Sequence, residues 1–233
     1  MKFQKIGESK KPAAIFLHGY GAHPHLYRDF IGRLAEKYYV YVPEVFGLSG
    51  ECRRNFAANV TLLREFIENA RLKESLVVGH SYGALVAMHL AAYFPELKRA
   101  IAVNPLLPNI FNPDKLRRQL ENIQKDLAQS TGGIRGMLTH PEVGLRYGMN
   151  LLSDPFGYIV GAANAVASSL PDAQSNVPVD LVYADLDLLF HIDQSDVNRW
   201  REPLPRLQFE LIPDYSHNWI IYHGSFAFDR LNK

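Results

Sequence analysis

Cysteine is almost missing from this sequence: Cys52 stands alone among 233 residues. One thiol forbids an internal disulfide and removes any zinc site built on cysteines. An excess of charge is missing too, since 25 basic residues face 24 acidic ones for a net charge of +1. That balance lacks the attraction that phosphate backbones and anionic membranes use, so neither nucleic acid nor a charged lipid surface is an expected partner. No apolar run is long enough to span a bilayer, and no apolar stretch of about 7–15 residues follows Met1-Lys2-Phe3-Gln4-Lys5 as a secretory leader would require. The expectation is a cytoplasmic protein without a membrane span. What is present is ordinary for a globular chain: 47% hydrophobic and 21% charged residues. At this length, that suffices for one α/β domain with a core and an inserted lobe.

The stretch that organises the rest is Ser75-Leu76-Val77-Val78-Gly79-His80-Ser81-Tyr82-Gly83. Leu76 to Val78 form the short apolar run of a buried parallel strand. Gly79 to Gly83 match G-x-S-x-G, and Ala84 to Phe94 read as a helix rich in alanine and leucine. A strand, this motif and a helix together describe a sharp turn that lifts a serine clear of a sheet. The two glycines have a steric role there, because a Cβ at either position would strike the adjoining backbone.

Around this stretch, short strands and helices alternate. Ala13 to Leu17 is a strand running into His18-Gly19-Tyr20-Gly21, and Pro24 to Lys37 has helical spacing at Leu26, Phe30 and Leu34, with Asp29 and Arg33 an i,i+4 pair. Tyr39 to Pro43 reads as a strand, Phe46 to Gly50 as a loop, and residues 53–71 as a helix with Phe56, Val60, Leu63, Ile67 and Ala70 on one stripe. Ala100 to Val103 is the next strand. Such alternation implies a mainly parallel sheet with helices on both faces. It breaks at Asn104-Pro105. A helix is expected to start at Asn112-Pro113-Asp114, with Leu116, Leu120, Ile123 and Leu127 at helical intervals, and Gly132-Gly133 ends it. Strand signal resumes only at Val177 to Tyr183 and again at Leu207 to Ile212.

A serine hydroxyl is a weak nucleophile until a base takes its proton and a third group orients that base. Among nine histidines, His217 sits in a polar loop just past the last strand. In a parallel sheet it therefore shares an edge with Ser81. The orienting acid should follow the strand between them, where Asp185 and Asp187 both stand. The oxyanion formed on attack needs pre-aimed donors. The backbone N–H of Tyr82 is one candidate and that of Tyr20, in the glycine-flanked loop after the first core strand, is the other.

Through Leu17-His18-Gly19-Tyr20-Gly21, Pro43 to Gly50, Gly79 to Gly83, Ala184-Asp185-Leu186-Asp187 and Ser216-His217, the chain resembles the capped, lipase/esterase-like branch of the α/β-hydrolases. Glu44 and Val45 depart from that branch's D-x-P-G-x-G-x-S pattern, and Ser216 replaces its usual glycine before the histidine. The resemblance implies a Ser81–His217–Asp187 triad, the acid being the last residue of G-x-x-D with Ala184 in place of glycine. It implies a core of residues 1–105 and 176–233, a helical cap of residues 106–175, and no cofactor or metal. The expected activity is hydrolysis of a small ester or related acyl substrate. A C–C hydrolase, a lactonase or a cofactor-free lyase would use the same triad, and a catalytically silent ligand-binding protein would share the fold.

His23-Pro24-His25 offers two imidazoles with no third ligand in view, so no metal is expected there. In the cap, the basic residues (Lys115, Arg117, Arg118, Lys125, Arg135, Arg146) match the acidic ones (Asp114, Glu121, Asp126, Glu142, Asp154, Asp172) in number. A lobe without net charge, holding Met149, Phe156 and Tyr158, is expected to roof an apolar pocket and contact the substrate. Nothing in the sequence fixes the oligomeric state.

Overall fold

The computed structural model describes residues 2–44, 55–107, 136, 138–153, 155–187 and 192–231. The expected loop at Phe46 to Gly50 and the expected helix from Asn112 to Leu127 lie outside these residues. Seven strands form one sheet: β1 (Phe3–Ile6), β2 (Ala13–Leu17), β3 (Tyr39–Pro43), β4 (Leu76–His80), β5 (Arg99–Val103), β6 (Val179–Ala184) and β7 (Leu207–Ile212). Their spatial order is β1-β3-β2-β4-β5-β6-β7. Only β1 runs antiparallel, paired with β3. The other neighbours are parallel, so their C-terminal ends share one edge.

Burial explains why β4 lies at the centre. All five of its residues are buried, as expected of an apolar strand covered on both faces. One layer consists of α2 (Phe56–Asn69), α3 (Tyr82–Tyr93) and α6 (Gln194–Arg201), whose Phe56, Leu63, Leu85, Met88 and Trp200 pack with Ile15 and Val77. The other holds α1 (Arg28–Lys37), α7 (Trp219–Tyr222) and α8 (Gly224–Leu231), where Phe30, Leu34, Trp219 and Phe228 meet Phe16 and Val78. α2 buries Phe56, Val60, Leu63 and Ile67 of the predicted stripe, while Ala70 is its half-buried C-cap rather than part of the helix. Asn55 caps it by accepting the Ala58 N–H at 3.1 Å. α3 is different: every residue from Tyr82 to Ala92 is buried, so the helix has no solvent face.

Two local expectations change. The helix predicted from Pro24 opens as a 3-10 turn over Pro24–Tyr27 and becomes α-helical only at Arg28. Arg33 does not pair with Asp29; its guanidinium bonds Glu36 at 2.8 Å and Asp229 of α8 at 3.3 Å. Docking of α8 on α1 supplies a carboxylate that spacing along α1 could not reveal.

Between β5 and β6, the described residues form α4 (Pro141–Ser153) and α5 (Pro155–Val166). α4 sends Val143 into the second layer and α5 sends Ala165 into the first. Leu145, Met149, Leu152, Phe156 and Ile159 stand exposed on the same two helices. Among the described residues no helix is long and apolar enough to cross a membrane.

Candidate active site

Ser81 occupies the turn between β4 and α3 with φ 55° and ψ −117°, a backbone region that costs a non-glycine residue about 1–3 kcal/mol. Hydrogen bonds hold it there. Its N–H donates to the Val103 carbonyl at 2.9 Å, and its own carbonyl accepts the N–H groups of Ala84 at 3.0 Å and Leu85 at 3.2 Å. The flanking glycines allow the close approach. A Cβ on Gly79 would fall under 3.0 Å from the Gly83 carbonyl, and one on Gly83 equally close to that of Leu17.

His217 lies in the loop after β7, and its Nδ1 meets Asp187 Oδ2 at 2.6 Å. The side chain of Asp187 is fully buried and that of His217 is 7% exposed. The loops that carry them are zipped together: Asp185 N–H donates to Ile212 O and Leu186 N–H to Tyr215 O, both at 3.0 Å. Asp185 itself faces elsewhere and accepts the Asp214 N–H at 2.7 Å. The geometry therefore distinguishes two carboxylates that residue order alone leaves open. Nδ1–H donates to the carboxylate, so the neutral imidazole carries its lone pair on Nε2, the tautomer a general base needs.

A buried carboxylate has to be supplied with donors. Asn104, fully buried at the end of β5, donates its Nδ2–H to Asp187 Oδ2 at 2.9 Å. Its Oδ1 accepts from Ala184 N–H and from Trp219 Nε1–H, both at 3.2 Å. Its φ of 46° suits asparagine better than most residues. Tyr183 also bonds Asp187, and burial together with that carboxylate holds its phenol well above the ordinary tyrosine range.

The loop after β2 lies against the serine: a Cβ on Gly19 would sit 3.4 Å from Ser81 Cβ. The N–H of Gly19 donates to the Tyr27 hydroxyl at 3.1 Å, so Tyr20 next to it remains the candidate donor of this loop. The Tyr20 and Tyr82 rings lie 5.2 Å apart, placing the two candidate oxyanion residues side by side. His18 donates from Nδ1 to the Gly19 carbonyl at 2.9 Å, and burial lowers its pKa to about 4. His23 accepts the His25 N–H on its ring nitrogen at 3.2 Å, a turn-capping contact. Met149 and Phe156 are exposed at 52% and 69%. Tyr158 lies in α5, its side chain outside the described residues.

A sequence profile described as the alpha/beta hydrolase family matches residues 14–230. The chain belongs to that family. As a family member it is 28% identical over 106 residues to a haloalkane dehalogenase of Bradyrhizobium diazoefficiens, which covers 44% of this chain and 34% of that protein. It is 32% identical over 108 residues to the magnesium-chelatase 30 kDa subunit of Rhodobacter capsulatus, covering 43% and 37%. The chain thus spans about a third of the length of these curated relatives. Among solved structures, a marine microorganism esterase superposes with a TM-score of 0.74 at 19% identity, over 99% of this chain and 97% of that one. The enol-lactonase of Burkholderia xenovorans gives 0.73 at 14% identity, over 99% and 94%. At such identities the likeness establishes the fold.

Sequence reasoning singles out Ser81, His217 and the aspartate pair, and it misses Asn104, Tyr27, Tyr183 and the side chain of His80. The Asn-Pro break after β5 is the one local signal for Asn104. Tyr27, Tyr183 and His80 carry none: Tyr27 and His80 meet each other across 53 positions and His80 meets His217 across 137, and Tyr183 lies inside an apolar strand that reads as core.

Proposed function

We propose that this chain is a serine hydrolase acting on a small, apolar ester or related acyl compound through an acyl-enzyme. The observation that carries the reading is the buried His217–Asp187 contact of 2.6 Å, on the sheet edge where Ser81 is held in its strained turn. In the proposed cycle, His217 Nε2 takes the Ser81 hydroxyl proton as Oγ attacks the substrate carbonyl. Asp187 keeps the imidazole in the reactive tautomer and stabilises the imidazolium as it forms. The backbone N–H groups of Tyr20 and Tyr82 receive the developing oxyanion. His217 then returns the proton to the leaving alcohol, and the same groups direct water onto the acyl-enzyme.

Residues 106–175 act in this reading as a cap that selects the substrate and adds nothing to bond breaking. α4 and α5 each anchor in a different layer and present apolar side chains outward, which suits contact with an acyl group. Met149→Ala and Phe156→Ala should shift preference between short and long acyl esters by roughly 1–3 kcal/mol where the substrate used the contact. The scarcity of cysteine is in keeping with action in a reducing cytoplasm.

The test is labelling of the wild type and of Ser81→Ala by a fluorophosphonate, followed by rates on a panel of esters, thioesters and lactones. Ser81→Ala should escape labelling and lose several orders of magnitude in kcat/KM. A folded Ser81→Ala protein that turns over at the wild-type rate would end the proposal.

A further inference from the structure

The loop carrying Gly19 and Tyr20 follows β2, and the loop carrying His217 follows β7. In the sheet, β4, β5 and β6 lie between those strands, so no ladder of backbone hydrogen bonds ties one loop to the other. The base and the proposed oxyanion donors nevertheless have to keep a fixed separation during attack. A chain of buried side-chain hydrogen bonds spans the gap. Gly19 N–H donates to the Tyr27 hydroxyl at 3.1 Å, that hydroxyl meets His80 Nδ1 at 2.8 Å, and His80 Nε2 meets the His217 carbonyl at 2.9 Å.

One arrangement of protons satisfies every member. The His217 carbonyl only accepts, so His80 Nε2 carries the hydrogen. In a neutral ring, Nδ1 is then an acceptor and takes the tyrosine hydrogen. The tyrosine oxygen, having donated its own hydrogen, accepts from Gly19. An ionised His80 would put a second donor opposite the hydroxyl and break that link of the relay. The surroundings favour the neutral ring: Tyr27 and His80 are fully buried, and burial together with nearby His217 depresses the His80 pKa well below its usual range.

We propose that Tyr27 and His80 are positioning residues that fasten the oxyanion loop to the backbone of the catalytic base, so that the two halves of the site hold one spacing. This rests on the serine-hydrolase reading above. Neither side chain takes a step in the proposed cycle. Their effect is on geometry, where a misplacement of about 1 Å costs on the order of 10²-fold in rate. The role also gives a reason for histidine between Gly79 and Ser81: the position needs a rigid side chain with an acceptor on one side and a donor on the other.

Tyr27→Phe removes only the hydroxyl and keeps the ring packed 4.9 Å from Phe16. The expected result is a kcat lower by about 10- to 100-fold with KM changed by less than about threefold. The low-field NMR proton of the His217–Asp187 bond should shift at the same time. His80→Gln carries an acceptor and a donor on one planar group, and it should retain more kcat than His80→Leu. If Tyr27→Phe cannot be obtained folded, the His80 pair carries the same comparison. Wild-type kcat in Tyr27→Phe, a loss confined to KM, or an unmoved His217 proton would each overturn the relay. A wild-type protein inactive on every acyl substrate would sink the hydrolase reading alone, because the NMR comparison needs no substrate and still decides the relay.

Discussion

Replacing Asn104 should damage the protein in a way that depends on which of its bonds survives. Asn104→Ala deletes the donor to Asp187 and leaves the Ala184 N–H and Trp219 Nε1–H without their acceptor. Each buried group left in that state costs about 1–3 kcal/mol. Alanine at a φ of 46° adds about 1 kcal/mol. The total, roughly 3–7 kcal/mol, is a large share of the about 5–15 kcal/mol that holds a domain folded. Asn104→Asp keeps the acceptor but sets a second carboxylate beside Asp187. Two such groups cannot both ionise cheaply, so the pKa of the new aspartate in the folded state should rise above its unfolded value of about 3.9. A raised carboxylate pKa costs nothing below the unfolded value and destabilises increasingly as pH climbs toward the folded value. The protonated form could even donate to Asp187 as Asn104 does. Asn104→Asp should therefore approach wild-type stability near pH 4–5 and fall behind it by pH 8. Urea unfolding followed by far-UV circular dichroism at several pH values measures this. A loss under about 1 kcal/mol in Asn104→Ala, or an equal deficit for Asn104→Asp at every pH, would refute the role assigned to Asn104.

Further outcomes follow from the same geometry. Asp187→Asn should lower kcat by on the order of 10⁴, whereas Asp185→Asn should have a small effect, since the Asp185 carboxylate accepts the Asp214 N–H in its loop while Asp187 meets His217; steady-state rates of the two purified variants decide. Gly79→Ala and Gly83→Ala should fail to give folded protein, because the added methyl meets backbone rather than a movable side chain; soluble expression and circular dichroism check this. Burial lowers the pKa of His89 to about 4 from 6.5, so the unfolded chain takes up a proton there that the folded chain refuses. Stability should then rise between about pH 4 and 6.5 and level off above, His89 accounting for about 3 kcal/mol of the loss at the acid end. His89→Phe, a ring that suits the edge contacts with Phe56 and Trp200, should flatten that slope in Tm against pH.

How much of this was legible in the sequence depended on the range of the interaction. Strands β2, β4 and β6 announce themselves by apolar runs, and the serine turn by glycines whose spacing reflects a steric need within five residues. His217 is readable because parallel strands share an edge, an inference from topology alone. Asp185 and Asp187 are equivalent on that basis. What separates them is the zipper between the loops after β6 and β7, a contact between segments about thirty residues apart. Asn104 donates across 83 positions and His80 across 137, and no local period records such a pairing. The Arg33 reading failed on a choice within one helix as well as on range: Glu36, three residues on, outcompetes Asp29, and only the second partner, Asp229, comes from another helix. Spacing also points to α2, whose stripe is one-sided. It says little about α3, where burial on every side leaves no pattern of period 3.6 to detect.

The strand order has a consequence for how the chain acquires its reactive centre. The groups that surround Ser81 come from the ends of β2, β4, β5, β6 and β7, and the parallel pairing that aligns them joins segments distant in the chain. Local helices such as α2 can form early, while these pairings must wait for slow, entropically costly closures. The proposed triad should thus be among the last features completed during folding and a sensitive indicator that the last strand has docked. A refolding population that has already recovered its helical signal would still contain molecules in which Ser81 stands apart from His217.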